Sequence, residues 1–189
     1  MSSVNLKRIT KETIINVTVD IQGTGESSID TGIGFLNHML EAFAKHSSID
    51  MVIKAEGDIE VDFHHTTEDI GIVLGSAIRK SLEKKNFARY GQSIIPMDEA
   101  LILSSIDICN RSYLNFDCNL YGTIGNFDSE LIEEFFRAFA NNARVTLHIK
   151  QMYGSNKHHI AEAIFKSVAH SLKDAVRLTD KTLSTKGSL

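Results

Sequence analysis

Cysteine, proline and long apolar runs are scarce in this chain, and each scarcity closes off a class of protein. Two cysteines, Cys109 and Cys118, stand among 189 residues. Without a secretory signal they fit reduced thiols in half-buried strands, not a disulfide scaffold. No stretch of 18 apolar residues occurs, so no membrane-spanning helix is expected. The opening residues Met1-Ser2-Ser3-Val4-Asn5-Leu6-Lys7-Arg8 lack the apolar core of a leader peptide, and a cytoplasmic location is the expectation. There is no basic run, and the formal charge is −4. Nucleic acid and anionic membranes are therefore not expected partners, and any contact to a phosphate has to be local. The one proline, Pro96, lies in the stretch 86–98 after a helical run, which reads as the linker between two parts of the chain. What remains is 42% hydrophobic and 23% charged, enough for one substantial core or two small halves without staples.

The chain is written twice. Ala42-Phe43-Ala44 lines up with Ala138-Phe139-Ala140, and at the same offset Ile49-Asp50-Met51-Val52-Ile53-Lys54 meets Val145-Thr146-Leu147-His148-Ile149-Lys150. After a two-residue contraction, His64-His65-Thr66-Thr67-Glu68 meets His158-His159-Ile160-Ala161-Glu162. A repeat at half the chain length predicts two similar halves, about 1–90 and 91–189, packed as one catalytic unit. Each half reads as strands, a helix, a strand and a second helix. Residues 14–21, 101–108 and 113–120 are short β-branched or aromatic runs. Ile70, Val73, Leu74, Ala77, Ile78 and Leu82 recur at helical spacing, as do Ile160, Ala163, Ile164, Ser167, Val168, Ser171, Leu172 and Ala175, and these stripes are core faces. Glycine pairs at 22–25, 31–34 and 122–125 mark the turns. The expected class is α+β.

The histidines carry the chemistry. Residues four apart share a helix face, so His64 with Glu68, and His158 with Glu162, are each a chelating pair for a divalent ion. Glu68 is also three residues from His65, which leaves that pairing open. Neighbouring helical side chains diverge by about 100°, so His65 and His159 should point to a different ion or a partner surface. Two sites need further ligands. His38 and His148 are candidates, since the repeat places Glu134 and Val52 opposite them. A single such motif is equally a solvated helix start with a favourably placed glutamate, but the same motif at the same place in both halves favours shared chemistry. Ligand type alone leaves manganese, iron and zinc open. It also leaves open a metal-dependent hydrolase or isomerase, or a metal-storage oligomer.

Asp30-Thr31-Gly32-Ile33-Gly34-Phe35-Leu36-Asn37-His38-Met39-Leu40, the two histidine motifs, Arg89-Tyr90-Gly91, Pro96-Met97-Asp98-Glu99-Ala100 and Ser184-Thr185-Lys186-Gly187 together resemble the imidazoleglycerol-phosphate dehydratase family, in its monofunctional form. The resemblance implies duplicated ribosomal protein S5 domain 2-like halves with left-handed βαβ units, a 24-subunit homo-oligomer with active sites between subunits, and two Mn2+ ions per site. It assigns His38, His65, His158 and Glu162 to one ion, and His64, Glu68, His148 and His159 to the other. It implies substrate contacts from Glu12, His46, Arg89, Lys166, Ser184, Thr185 and Lys186. Arg89 is a fork and Lys186 a point charge for phosphate. Two departures stand out: Thr123 where many relatives carry a basic residue, which puts one phosphate contact in doubt, and Leu183 where they often have proline.

The implied reaction removes water from D-erythro-imidazoleglycerol phosphate to give imidazoleacetol phosphate in histidine biosynthesis. The proton to be lost is not next to a carbonyl. Two ions flanking the substrate imidazole would answer this by favouring an imidazolate that expels the neighbouring hydroxyl and leaves a diazafulvene. Glu12 is the first candidate for acid–base work, with His46 and Asp98 behind it.

Overall fold

The structure, a computed structural model, describes residues 3–181, 183 and 184. Its first half runs β1 (Val4–Ile9), β2 (Thr13–Asp20), β3 (Ser27–Asp30), α1 (Gly34–Ser47), β4 (Asp50–Gly57) and α2 (His64–Ser81). The second half runs β5 (Tyr90–Met97), β6 (Ala100–Asp107), β7 (Tyr113–Asp117), the small hairpin β8 (Thr123–Ile124) and β9 (Phe127–Asp128), α3 (Leu131–Ala143), β10 (Thr146–Tyr153) and α4 (Lys157–Val176). The two four-stranded sheets have the same order, β1-β2-β4-β3 and β5-β6-β10-β7. In each, the last-named strand pairs parallel with its neighbour while the others pair antiparallel. The duplication is therefore one of topology as well as sequence. Among the described residues no helix is long and apolar enough to cross a membrane.

Strands β2 and β6 bury every second residue, so each sheet turns one face to the helices and leaves the other open. The helices then pack across the halves, α1 on α4 and α2 on α3. The two phenylalanines equated by the repeat meet at this seam: Phe43 and Phe139 have ring centroids 6.2 Å apart, and Phe165 of α4 packs against Phe43, Phe135 and Phe136. All five are fully buried, each contributing about 1.5–3 kcal/mol of transfer free energy. Gly71 and Gly75 let α2 close on α3, since a Cβ on Gly75 would stand 2.5 Å from the Phe139 carbonyl oxygen.

The stretch expected as a linker is mostly strand. Pro96 lies in β5, which pairs with β6 alone at the sheet edge, where a missing N–H removes no bond from the sheet. The connection shrinks to residues 82–89, tied back to the segment after α4 by Ala88 N–H to the Arg177 carbonyl and Thr179 N–H to the Asn86 carbonyl. Cys109 and Cys118 are free, the first buried and the second half-buried, each following a strand instead of sitting in it. Burial pushes the Cys118 thiol up to about 12, so it is not a reactive thiolate.

Candidate active site

The start of α4 is fixed before any ligand is considered. The Asn156 side chain accepts from the backbone N–H groups of His158 and His159 at 2.9 and 3.3 Å, which caps the helix. Glu99, in the turn between β5 and β6, accepts from the N–H groups of Ser155 and Asn156. One helical turn on, Glu162 points its Oε2 at His158 Nε2, 3.3 Å away, and at His38 Nε2 of α1, 3.5 Å away. The ligand atoms of His38, His158 and Glu162 lie within 4.8 Å of one another, the one such group among the described residues. Bonds of about 2.0–2.2 Å to a common ion put adjacent donors about 3 Å apart, so small rotations bring these three onto one ion. Two imidazole nitrogens and a carboxylate oxygen are a donor set that fits manganese among other first-row metals.

Glu162 is buried, and burial works to raise its carboxyl. Lys166, whose Nζ is 2.6 Å from Oε1, together with His38 and His158, outweighs this and holds it below the usual carboxylate range. The carboxylate is thus kept ionised.

The neighbouring histidines diverge as the helix requires. The rings of His64 and His65 stand at 84°, those of His158 and His159 at 86°. Asp62 Oδ1 accepts from the His64 backbone N–H at 2.7 Å, at the first residue of α2. His65 turns to Asp58, with Nδ1 3.0 Å from Oδ2, and this hydrogen bond raises the imidazole above its ordinary value. His159 Nδ1 lies 2.7 Å from Glu99 Oε2, with Asp98 Oδ2 3.6 Å from its Nε2. That contact raises His159 and drops Glu99 to about 2. In both cases a carboxylate engages Nδ1, the kind of partner that orients a ligating histidine, and at His159 Asp98 also lies near Nε2. Replacing Glu99 by alanine should therefore weaken metal binding about 10–100-fold, read by titrating metal into metal-stripped protein with the thermal midpoint as control.

His148 is on the opposite side of its sheet from the helices. Its neighbours Leu147 and Ile149 are buried against them while His148 is exposed and packs on the Tyr113 ring at 5.6 Å. Within one chain the structure thus gathers His38, His158 and Glu162, and leaves His65, His64, Glu68, His148 and His159 outside that group.

The acid–base candidates fall beside different histidines. Glu12 is exposed in the turn between β1 and β2, where its charge helps raise His65. Asp98 is exposed in the two-residue turn between β5 and β6, with left-handed backbone (φ 48°). His46, in the last turn of α1, has Nδ1 3.1 Å from His170 Nε2 of α4, and burial, then His170 and Lys166, lower its pKa. Lys166 sits between these imidazoles and the ligand group as the partner of Glu162.

Arg89 lies elsewhere. Its guanidinium grips Asp107 at 2.7 and 3.1 Å, covers the Tyr90 ring and donates to the Leu183 carbonyl at 2.8 Å. Its backbone N–H bonds to Ala175, near the far end of α4 from His158, about 25 Å along a helix rising 1.5 Å per residue. The Leu183 contact places Ser184 next in sequence to the Arg89 site, while Thr185 and Lys186 lie outside the described residues. Thr123 is exposed in the β8–β9 hairpin.

Three residues that hold this arrangement are absent from the sequence-based set: Asp58, Glu99 and His170. The carboxylates reach their histidines through tertiary contacts that no local spacing announces. His170 did carry a signal, since His158, Glu162, Lys166 and His170 are successive i+4 steps.

The known proteins most informative here share both chain and fold. A family model described as imidazoleglycerol-phosphate dehydratase matches residues 31–172. The imidazoleglycerol-phosphate dehydratase of Acetivibrio thermocellus is 53% identical over 189 aligned residues, 97% of each chain, and that of Rhodopseudomonas palustris is 50% identical over all of this chain and 99% of its own. Among solved structures, the enzyme of Staphylococcus aureus superposes with a TM-score of 0.86 at 43% identity, covering 94% of this chain and 100% of that one. The enzyme of Pyrococcus furiosus, in complex with (S)-C348, gives 0.87 at 43% identity, with 97% and 100% covered. With the duplicated α+β fold and the histidine and glutamate motifs in place, the chain belongs to the imidazoleglycerol-phosphate dehydratase family, the hydro-lyases of that step in histidine biosynthesis.

Proposed function

We propose that this chain converts D-erythro-imidazoleglycerol phosphate to imidazoleacetol phosphate through a diazafulvene, using two Mn2+ ions per site, in a cytoplasmic homo-oligomer of 24 subunits. The observation that carries the reading is the His38, His158 and Glu162 group, three donors converging from two helices with Lys166 behind the carboxylate. The chemistry that a bound pair of divalent ions supplies is acidification of the substrate imidazole and polarisation of its hydroxyl. His38, His65, His158 and Glu162 would hold one ion, and His64, Glu68, His148 and His159 the other.

The protein groups then handle protons. The hydroxyl takes a proton from an acidic side chain and leaves as water, a base takes the carbon-bound proton to give the enol, and the enol gains a proton at carbon and gives up its O–H proton as the ketone forms. More than one proton moves, and Glu12, exposed in a short turn with its charge beside His65, is the first choice for this traffic, with His46 and Asp98 behind it. Arg89 and the tail residues Ser184, Thr185 and Lys186 would take the phosphate, with Lys166 nearer the ring.

Sites completed between subunits account for what one chain leaves apart. His148 faces outward from its sheet, and Arg89 sits about 25 Å along α4 from the ligand group. The open faces carry Ile14, Val52, Ile94 and Tyr113, between 41% and 56% exposed, apolar surface that assembly would cover. The direct test is incubation of purified, manganese-supplied protein with imidazoleglycerol phosphate, following the enolised product by absorbance and free phosphate in parallel. Product without phosphate release is expected; phosphate release would move the reading to a hydrolase, and metal uptake without turnover to storage.

A further inference from the structure

His46 and His170 form a pair that the metal-ligand set does not use. His46 Nδ1 and His170 Nε2 are 3.1 Å apart, both rings are half-buried, and their planes cross at 52° with centroids 5.1 Å apart. That short distance between ring nitrogens means one carries a hydrogen and the other a lone pair. The pair lies further along the contact between α1 and α4. On α4 the order is His158, Glu162, Lys166, His170, and on α1 His38 faces the first two while His46 faces the last. His170 is about 12 Å along the helix from Glu162, too far to share its ion.

Resting on the dehydratase reading above, we propose that His170 is a positioning residue for His46: it accepts the Nδ1–H of His46 at its Nε2, so that His46 keeps its lone pair on Nε2 and serves there as a base. In the proton-transfer step the substrate C–H bond breaks, an N–H bond forms at His46 Nε2, and the resulting imidazolium strengthens its Nδ1–H bond to His170. This is how a second group sets which ring nitrogen of a histidine does the work. Lys166 and Lys173 also face His46 from α4 and favour its neutral form, while Glu162 opposes them.

The test compares His170→Leu and His170→Gln in the manganese-loaded enzyme, each with and without His46→Ala. Loss of the hydrogen bond in His170→Leu should lower kcat about tenfold, the worth of one ordinary hydrogen bond, with KM within about twofold of wild type. Glutamine places an amide oxygen near the position of imidazole Nε2, and His170→Gln should keep at least about half of kcat. In the His46→Ala background, His170→Leu should cause no further loss. An unchanged kcat in His170→Leu, an equal loss in both backgrounds, or a glutamine variant as slow as the leucine one overturns the proposal while wild-type turnover leaves the dehydratase reading standing. A wild-type enzyme that turns over no imidazoleglycerol phosphate overturns both.

Discussion

Changing Glu162 to glutamine should lower manganese-dependent turnover by at least about a thousandfold while the protein stays folded. The substitution keeps shape and removes charge. Glu162 Oε2 is the atom that both His38 and His158 face, and Oε1 is the partner of Lys166. A neutral amide is a poor donor to a divalent cation, and it leaves a half-buried ammonium without its counter-charge. Losing a residue that merely supports a ligand costs about 10–100-fold, and losing the anionic ligand itself should cost more. His64→Ala and His158→Ala should be comparably inactive. Steady-state kinetics at saturating manganese, with bound metal counted by elemental analysis, checks this, and full turnover in any of the three would remove that residue from the ligand set.

Gly91→Ala should be the most damaging small change to the fold. Gly91 is buried in β5, and a Cβ there would collide with the Ser171 carbonyl and stand 3.0 Å from the Ala175 nitrogen, both backbone of α4. The helix has little room to retreat. Its other side meets α1 and the phenylalanine core, and Ser171 is held by hydroxyl contacts to Ser93 and Ser104. Overpacking against backbone costs about 1–3 kcal/mol or more; at about 3 kcal/mol the midpoint of a chain this size falls roughly 6–12 °C. Thermal unfolding of metal-stripped protein measures it. An unchanged midpoint would mean that β5 and α4 can separate freely, against the packing described.

Ala42-Phe43-Ala44 and its copy were readable as a repeat because they serve the same job twice, placing Phe43 and Phe139 at the seam between halves. The motifs at His64 and His158 were readable because chelation from a helix demands fixed spacing, and the near-perpendicular rings follow from the same geometry. Other features left weaker marks. Strand β1 lacks a clean alternation, being half-buried at Val4 and Leu6 and exposed at its other positions, so it shows no period-2 signal. Pro96 looked like a breaker because sequence does not show that β5 is an edge strand. Asp58 and Glu99 meet their histidines only through folding, whereas His170 is marked by the i+4 steps from His158 through Glu162 and Lys166.

The electrostatics of the ligand group converge with the family assignment. Lys166 holds the Glu162 carboxylate ionised, and outside that group His65 and His159 each have Nδ1 engaged by a carboxylate.

Titrating manganese into metal-stripped protein while recording dehydration of imidazoleglycerol phosphate tests the central claim most directly. The account predicts no turnover without metal, activity rising with added manganese, and saturation at two ions per chain. Undiminished turnover in the presence of a strong chelator, or saturation of the sites without dehydration, would contradict it.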